Sequence, residues 1–190
     1  MINTKAVVHI FVLLISVYTS TNAQQASVGL YLTAHDFKMG ELSHSTKGSK
    51  LKLHEVIKKE IIEVKTYDST YTYLKKEVYG YRDSDGNYYR LYNNKAYTIL
   101  NSTEEILLYK ITNGYPQKGQ PQMFLYFFSK DAGSTICPLN MDTFYNAFND
   151  NAQFQKIIEI HFSGLGNLLE YDIIHHKYKI NRLLELSKTN

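Results

Sequence analysis

Hydrophobic and polar residues alternate through the middle of the chain, and this alternation predicts three successive antiparallel strands within residues 76–100. Asp85-Gly86 separates two tyrosine-rich runs and is typical of a tight hairpin turn, because Gly adopts positive φ easily. Asn93-Asn94 offers a second tight turn, since Asn tolerates the left-handed region. We therefore expect Gly86→Val to destabilise the fold more than Gly80→Ala, unless a neighbour packs against the missing Gly80 side chain.

The same period of two predicts further strands on both sides of this unit, over residues 28–32, 51–53, 60–66, 70–74 and 105–111. Residues 122–128 place large apolar side chains on both faces, so this strand is expected to be central and covered on both sides. Thr33 and Asp36 fit a capping box, which predicts about one turn of helix that Gly40 ends.

After Pro138 the apolar positions recur with a period of about 3.6, which is typical of helices. Asn140 is a good N-cap for a first helix, and a second carries an apolar stripe from Phe154 to Phe162. Asn167 is expected to start a third helix, which a turn near residues 175–177 would interrupt. Strands followed by helices predict an α+β fold, with a mainly antiparallel β-meander sheet of about seven or eight strands covered by C-terminal helices.

The first 23 residues have the three parts of a secretory signal peptide. Lys5 supplies the positive charge, residues 6–18 form the apolar stretch, and small residues lead up to Ala23. This stretch is shorter than the roughly 20 residues of a membrane-spanning helix, which argues against an uncleaved anchor. We expect a protein exported to the periplasm or the medium. Its mature chain would begin near Gln24, form one α+β domain over residues 24–190 and have no stable membrane anchor.

Composition narrows the function classes. The chain has 21 Lys and Arg against 18 Asp and Glu, and the basic residues are scattered, so no nucleic-acid partner is expected. Hydrophobic residues make up 44% of the chain, which is enough for a packed core. Cys137 is the single cysteine, so an internal disulfide is excluded. We interpret Cys137 as a small buried apolar residue, because no local signature supplies the base that a nucleophile needs.

Few residues suggest catalysis. Asp83, Asp85 and Gly86 resemble the start of a calcium loop, but Gly comes at the fourth position instead of the sixth, and turn chemistry explains the same residues. We predict no metal and no cofactor. An enzyme would need a histidine beside a carboxylate in a cleft. The candidate histidines are His35, His54, His161 and His175.

Tyrosine is the compositional anomaly, with nine between Tyr67 and Tyr97. Strand periodicity places Tyr79 and Tyr81 on one face of their strand, and Tyr88 and Tyr92 on one face of theirs. These four residues are the candidate binding surface, since Tyr offers large contact area at low entropic cost. The competing interpretation is that cross-strand aromatic pairs merely stabilise a half-exposed sheet.

Three stretches resemble a family of small, uncharacterised secreted proteins of Gram-negative bacteria: residues 29–37, residues 79–90 and residues 127–131. The resemblance implies export and a single domain, and it assigns no functional residue.

Our leading hypothesis is a non-enzymatic exported protein that binds a protein partner or an envelope ligand through the tyrosine-rich sheet. The alternatives are a cell-envelope hydrolase that uses His and carboxylate residues from separate segments, and a purely structural envelope component.

Overall fold

Strands dominate the first part of the chain and helices the last, in a computed structural model that describes residues 27–54, 60–114, 119–162 and 167–189. The early elements are β1 (Gly29–Tyr31), α1 (Ala34–Met39), β2 (Lys50–Leu53), β3 (Ile61–Lys65), β4 (Thr70–Leu74), a 3₁₀ turn (Lys75–Glu77), β5 (Gly80–Arg82), β6 (Tyr88–Tyr92), β7 (Lys95–Ile99) and β8 (Leu107–Thr112). The later elements are β9 (Phe124–Ser129), β10 (Cys137–Pro138), α2 (Met141–Ala147), α3 (Ala152–Phe162), β11 (Tyr171–Asp172), β12 (Lys177–Tyr178) and α4 (Lys179–Thr189).

Seven of these strands form one antiparallel sheet in the order β1-β5-β6-β7-β8-β9-β10, so that β5 to β10 make a meander. The predicted turns connect its central strands. Gly86 has a φ of 84°, and the Asp83 Oδ1 atom accepts hydrogen bonds from the backbone N–H groups of Asp85 and Asn87. Asn93 and Asn94 have φ angles of 48° and 60°. The α+β fold and the organising hairpin are thus confirmed.

Two different layers cover one face of the large sheet, each over about half of that face. The separate three-stranded sheet β2-β3-β4 packs Ile62 and Val64 against Leu30, Tyr81 and Leu91. The helices cover the half formed by β8 and β9. Their buried contacts include Phe144, Phe154, Phe162, Ile158 and Ile180 on the helices and Leu108 and Phe128 on the strands. Each such side chain contributes about 1.5–3 kcal/mol when it leaves water.

The opposite face, which we call the aromatic face, is covered by α1 and by the loop after β9. Phe37 of α1 and Ala132 of the loop pack against Tyr31, Tyr97 and Tyr109 of the sheet. The capping box is confirmed. The Thr33 hydroxyl accepts from Asp36 N at 3.1 Å, and an Asp36 carboxylate oxygen accepts from Thr33 N at 2.9 Å.

The prediction that residues 122–128 form a central, doubly covered strand is wrong. β9 is followed only by the two-residue β10, and Met123, Phe124 and Leu125 are 64%, 38% and 43% exposed. Phe128 is buried beneath the helices. The apolar residues on both faces of this strand suggested that both faces are covered. The helices, however, reach only the C-terminal half of the strand.

The third helix also differs from its prediction. Asn167 does not start it, because residues 171–178 form the β11–β12 hairpin and α4 begins at Lys179. The Asp172 Oδ1 atom accepts from the backbone N–H groups of Ile174 and His175, and this turn replaces helical hydrogen bonds. Ile173 is consequently 76% exposed instead of being buried on a helix face.

The predicted signal peptide, residues 1–23, lies outside the described residues. Among the residues that the structure describes, no helix is both long and apolar enough to cross a membrane.

Candidate functional site

The four candidate tyrosines lie on both faces of the sheet. Tyr79, Tyr88 and Tyr92 pack with the residues of the aromatic face, whereas Tyr81 packs on the face that the three-stranded sheet covers. The predicted shared face of Tyr88 and Tyr92 is confirmed, and that of Tyr79 and Tyr81 is wrong. Tyr79 lies one residue before β5, where the alternation within the strand no longer fixes the side chain's direction.

A buried arginine organises the aromatic face. Arg90 is 5% exposed, and its guanidinium donates to the Tyr109 hydroxyl at 3.0 Å and to the Ser134 carbonyl at 2.8 Å. Three tyrosine rings lie 5.1–5.9 Å from the guanidinium carbon: Tyr79, Tyr92 and Tyr109. Within the described part of the chain, no carboxylate lies within ion-pair distance of Arg90. Hydrogen bonds and cation–π contacts therefore compensate the buried charge.

Arg90 has a structural task in this arrangement. Its bond to Ser134 ties the loop after β9 to the middle of the sheet. Burial, followed by the neighbouring Tyr109, raises the pKa of Tyr79 well above the usual tyrosine value. Tyr79 and Tyr92 are therefore parts of the arginine's surroundings, and Tyr88 is the predicted residue on this face that lines open space.

Tyr88 lines a cleft of about 660 Å³, which we call the aromatic cleft. Its walls come from α1, from the ends of β5 and β6, and from the loops after β7 and β9. The Tyr31 and Tyr88 rings stack with centroids 6.4 Å apart, and Phe37 meets Tyr31 edge-on at 5.4 Å. The lining residues used below are Tyr31, Lys38, Met39, Arg82, Tyr88 and Asp131.

Arg82 is the distinctive charge of the aromatic cleft. Its guanidinium carbon lies 5.1 Å from the centroid of the Tyr88 ring, and its Nε atom is buried. Across the described ranges, the Arg82 side chain has no hydrogen-bond acceptor and no ion-pair partner. Because Nε is buried, the terminal N–H groups of the guanidinium are the donors left for a ligand.

The titrating groups of the cleft reflect their surroundings. Burial and the neighbouring Tyr88 raise the pKa of Tyr31 to about 12, against a smaller lowering by Arg82. Burial raises the pKa of Glu104, although a hydrogen bond from Asn101 opposes the shift. Burial also opposes ionisation of Asp131, but hydrogen bonds from Ser134 and Gly133 outweigh it and hold the pKa of Asp131 below its usual range. Asp131 is therefore a carboxylate at neutral pH.

Tyr81 belongs to a second cleft, of about 630 Å³, on the opposite side of the hairpin. Tyr81 and Tyr89 stack there with centroids 4.6 Å apart and ring planes at 11°. Lys50 and Asp83 line the same space. The four predicted residues therefore do not form one surface, because Tyr88 lines the aromatic cleft, Tyr81 lines the second cleft, and these two clefts lie on different faces.

Two histidines meet carboxylates, as the hydrolase alternative requires. His175 Nδ1 lies 2.6 Å from Asp172 Oδ2, and His54 Nε2 lies 3.1 Å from Glu63 Oε1. Neither histidine lines the aromatic cleft or the second cleft. In the described ranges, no three His, Cys, Asp or Glu side chains come together in a way that could hold a metal ion.

Cys137, which was expected to be buried, is half-buried and packs beside the helix-covered core. Its Sγ atom lies 4.0 Å from the Thr135 carbonyl oxygen.

The two arginines are the important residues that were not singled out from the sequence. Arg90 has the same strand parity as Tyr88 and Tyr92, so the period of two places it on their face. Arg82 pairs with Tyr88 across the predicted hairpin. By contrast, no sequence signal places Lys38 and Asp131 beside Tyr88, because these contacts depend on the tertiary packing of α1 and of the loop after β9.

Comparisons with protein-family models, with curated proteins and with solved structures gave no match.

Proposed function

We propose that this is an exported, non-enzymatic binding protein and that the aromatic cleft is its binding site. The observation that carries the proposal is the Arg82 guanidinium, which stacks on Tyr88 at the wall of a cleft of about 660 Å³ and has no hydrogen-bond or ion-pair partner among the described residues. Clefts of roughly 300–1,000 Å³ that combine aromatic walls with a few polar groups are typical small-molecule sites.

The stacked rings also favour binding. Tyr31 is 2% exposed and is held by Phe37, so it forms a rigid floor behind the half-exposed Tyr88. A ligand that contacts Tyr88 therefore meets an aromatic surface that is already ordered, so binding has a smaller entropy cost for ordering protein side chains.

The position of the histidine–carboxylate pairs supports a role without catalysis. The His175–Asp172 pair belongs to the β11–β12 turn, and its Asp172 carboxylate also accepts two backbone N–H groups of that turn. Turn formation accounts for this pair, whereas a hydrolytic centre would need it beside a substrate cleft.

The proposal is tested by ligand-observed NMR with a small-molecule fragment library against the wild type, Tyr88→Ala and Tyr89→Ala. Tyr88 and Tyr89 are consecutive half-buried residues of β6 that face opposite sides of the sheet, so Tyr89→Ala is a matched control. We expect fragments that Tyr88→Ala no longer binds and Tyr89→Ala still binds. Loss in Tyr89→Ala alone would move the site to the second cleft, and the absence of any fragment bound through Tyr88 would refute the proposal.

Export is tested separately. In a Gram-negative host, the full chain should yield a periplasmic or secreted product whose intact mass corresponds to a start near Gln24. A cytoplasmic product that keeps residues 1–23 would contradict export and leave the binding site untouched.

A further inference from the structure

We infer that the ligand of the aromatic cleft is a small organic anion, whose carboxylate or phosphate group binds the Arg82 guanidinium beside the Tyr88 ring. This inference rests on the proposed function and names the ligand class of the same cleft.

Arg82 differs from the other arginine of the sheet. Arg90 uses its guanidinium on Tyr109, Ser129 and Ser134, whereas Arg82 has only the Tyr88 ring among the residues that the structure describes. The planar fork of a guanidinium matches the two oxygens of a carboxylate or the oxygens of a phosphate. An arginine positioned against an aromatic ring is therefore ready to bind an anion.

The carboxylates of the cleft have partners of their own. An Asp131 oxygen accepts from Gly133 N at 2.6 Å and from Ser134 N at 2.8 Å. Glu104 accepts from the backbone N–H of Tyr178, and Glu105 forms an ion pair with Lys188.

These groups decide where an anion binds. Because Asp131 and Glu104 would repel a negatively charged ligand group, the anionic group of the ligand must lie at the Arg82 end of the cleft. The positive charge of Lys38 helps to lower the pKa of Asp131, after the hydrogen bonds from Ser134 and Gly133, so Lys38 has a carboxylate as its neighbour. Arg82 is therefore the principal anion-binding group.

Apolar side chains indicate the rest of the ligand. Met39 lines the cleft and is 61% exposed, and Tyr88 and Ala132 also line it. Covering them would remove apolar surface from water. The ligand is accordingly an anionic group on an apolar body, as in an aromatic or aliphatic carboxylate or a phosphate monoester.

The test is a titration of the isotopically labelled protein, followed by NMR, with three probes that share a phenyl ring: benzoate, phenyl phosphate and neutral benzyl alcohol. Four proteins are compared: wild type, Arg82→Gln, Arg82→Lys and Arg182→Gln. Arg182→Gln is the matched control, since Arg182 lies on α4 and pairs with Glu185 outside the aromatic cleft.

We expect benzoate or phenyl phosphate to shift the Tyr88 and Arg82 resonances. Arg82→Gln should weaken that binding by about tenfold or more, which corresponds to loss of a charge-assisted hydrogen bond. Arg82→Lys should lose less, because it keeps the charge, and Arg182→Gln should bind as the wild type does. The stronger of the two anions identifies carboxylate or phosphate as the group recognised.

Equal binding of benzyl alcohol and the anions, unchanged in Arg82→Gln, would overturn the anion inference and leave the binding proposal standing. The same conclusion would follow if fragments bound at Tyr88 but neither anion did. Absence of any ligand at Tyr88 would overturn both. If Arg82→Gln does not fold, the comparison of Arg82→Lys with the wild type decides, because a phosphate or carboxylate held by the guanidinium fork must bind Arg82→Lys more weakly.

Discussion

Gly80→Ala should be among the most destabilising single substitutions in the sheet, because a neighbour does pack against the missing Gly80 side chain, which is the exception allowed in the ranking expected from the sequence. A Cβ atom at Gly80 would lie 2.1 Å from the Tyr89 carbonyl oxygen, 3.1 Å from the Tyr89 carbonyl carbon and 3.3 Å from the Arg90 Cα. The nearest comfortable C···O contacts are about 3.3 Å. The two strands must therefore separate by about 1 Å, and all three contacted atoms belong to the backbone, which cannot rotate away.

The cost has two parts. Overpacking at a site of this kind costs about 1–3 kcal/mol, and disturbing a hydrogen bond between β5 and β6 costs about 1 kcal/mol more. We therefore expect a loss of about 3 kcal/mol. For a domain of this size, about 2–4 °C of melting temperature is lost per kcal/mol, which gives a decrease of about 6–12 °C.

Gly86→Val is the comparison that decides the ranking. Gly86 has a φ of 84° in the exposed turn, so a β-branched residue there costs about 1–3 kcal/mol through backbone strain. Gly48→Ala is the control for strain alone, because Gly48 has a φ of 83° and no atom would lie within 4 Å of its Cβ. Thermal melts followed by circular dichroism should rank Gly80→Ala at or below Gly86→Val, with Gly48→Ala least affected.

A Gly80→Ala variant that melts with the wild type, while Gly48→Ala loses several degrees, would refute the close approach of β5 and β6. Because Arg82 pairs with Tyr88 on these same two strands, the substitution should also weaken ligand binding in the aromatic cleft.

Three further predictions concern other parts of the domain. Asn181→Ala should cost about 1–3 kcal/mol in urea denaturation, because the buried Asn181 amide oxygen accepts from Ile106 N and its loss leaves that buried N–H without this partner, whereas Ile106 O keeps the hydrogen bond from Asn101. An Asn181→Ala midpoint equal to that of the wild type would contradict this. Since the pKa of Tyr31 is raised to about 12 in the folded state from 10.0, its contribution to stability is fully present below pH 10 and is lost as the pH rises through 12. Tyr31→Phe should therefore reduce the alkaline loss of stability, and an unchanged alkaline profile would speak against it. Cys137→Ala should cost roughly 1 kcal/mol at most, because Cys137 is half-buried, and any binding activity should survive the change.

Local sequence patterns predicted the strands, the turns and the first helices, whereas the composition of the aromatic cleft depends on packing between distant segments. Asp85-Gly86 and Asn93-Asn94 determine their own turn geometry, so the meander followed from the sequence. Tyr79 shows where periodicity ends, because a residue outside the paired strand is oriented by its neighbours Phe37 and Arg90.

The helical region shows the same limit. Apolar residues at 168–173 fit a helix, but the Asp172 turn offers the backbone other hydrogen bonds. The pattern of a single segment contains no information about the distance between β5 and β6. It is this short distance that makes the fold sensitive to substitution of Gly80. Such patterns also do not predict the packing of α1 that brings Lys38 to the aromatic cleft.

The exposed half of β9 has a consequence for self-association. Residues 123–128 are six consecutive large apolar or aromatic residues without a charge, which is the composition of segments that form intermolecular β-sheets. In the folded protein, Pro138 pairs with Phe127 and has no N–H to offer to an incoming strand, and Lys110 lies over the Phe124 ring. Residues 137–139 pair only with residues 126–128 of this edge, so their detachment would add these three residues to the part of β9 that β10 does not cover. Association through the full length of β9 would therefore require only the detachment of three residues at one edge of the sheet, and no unfolding of the core.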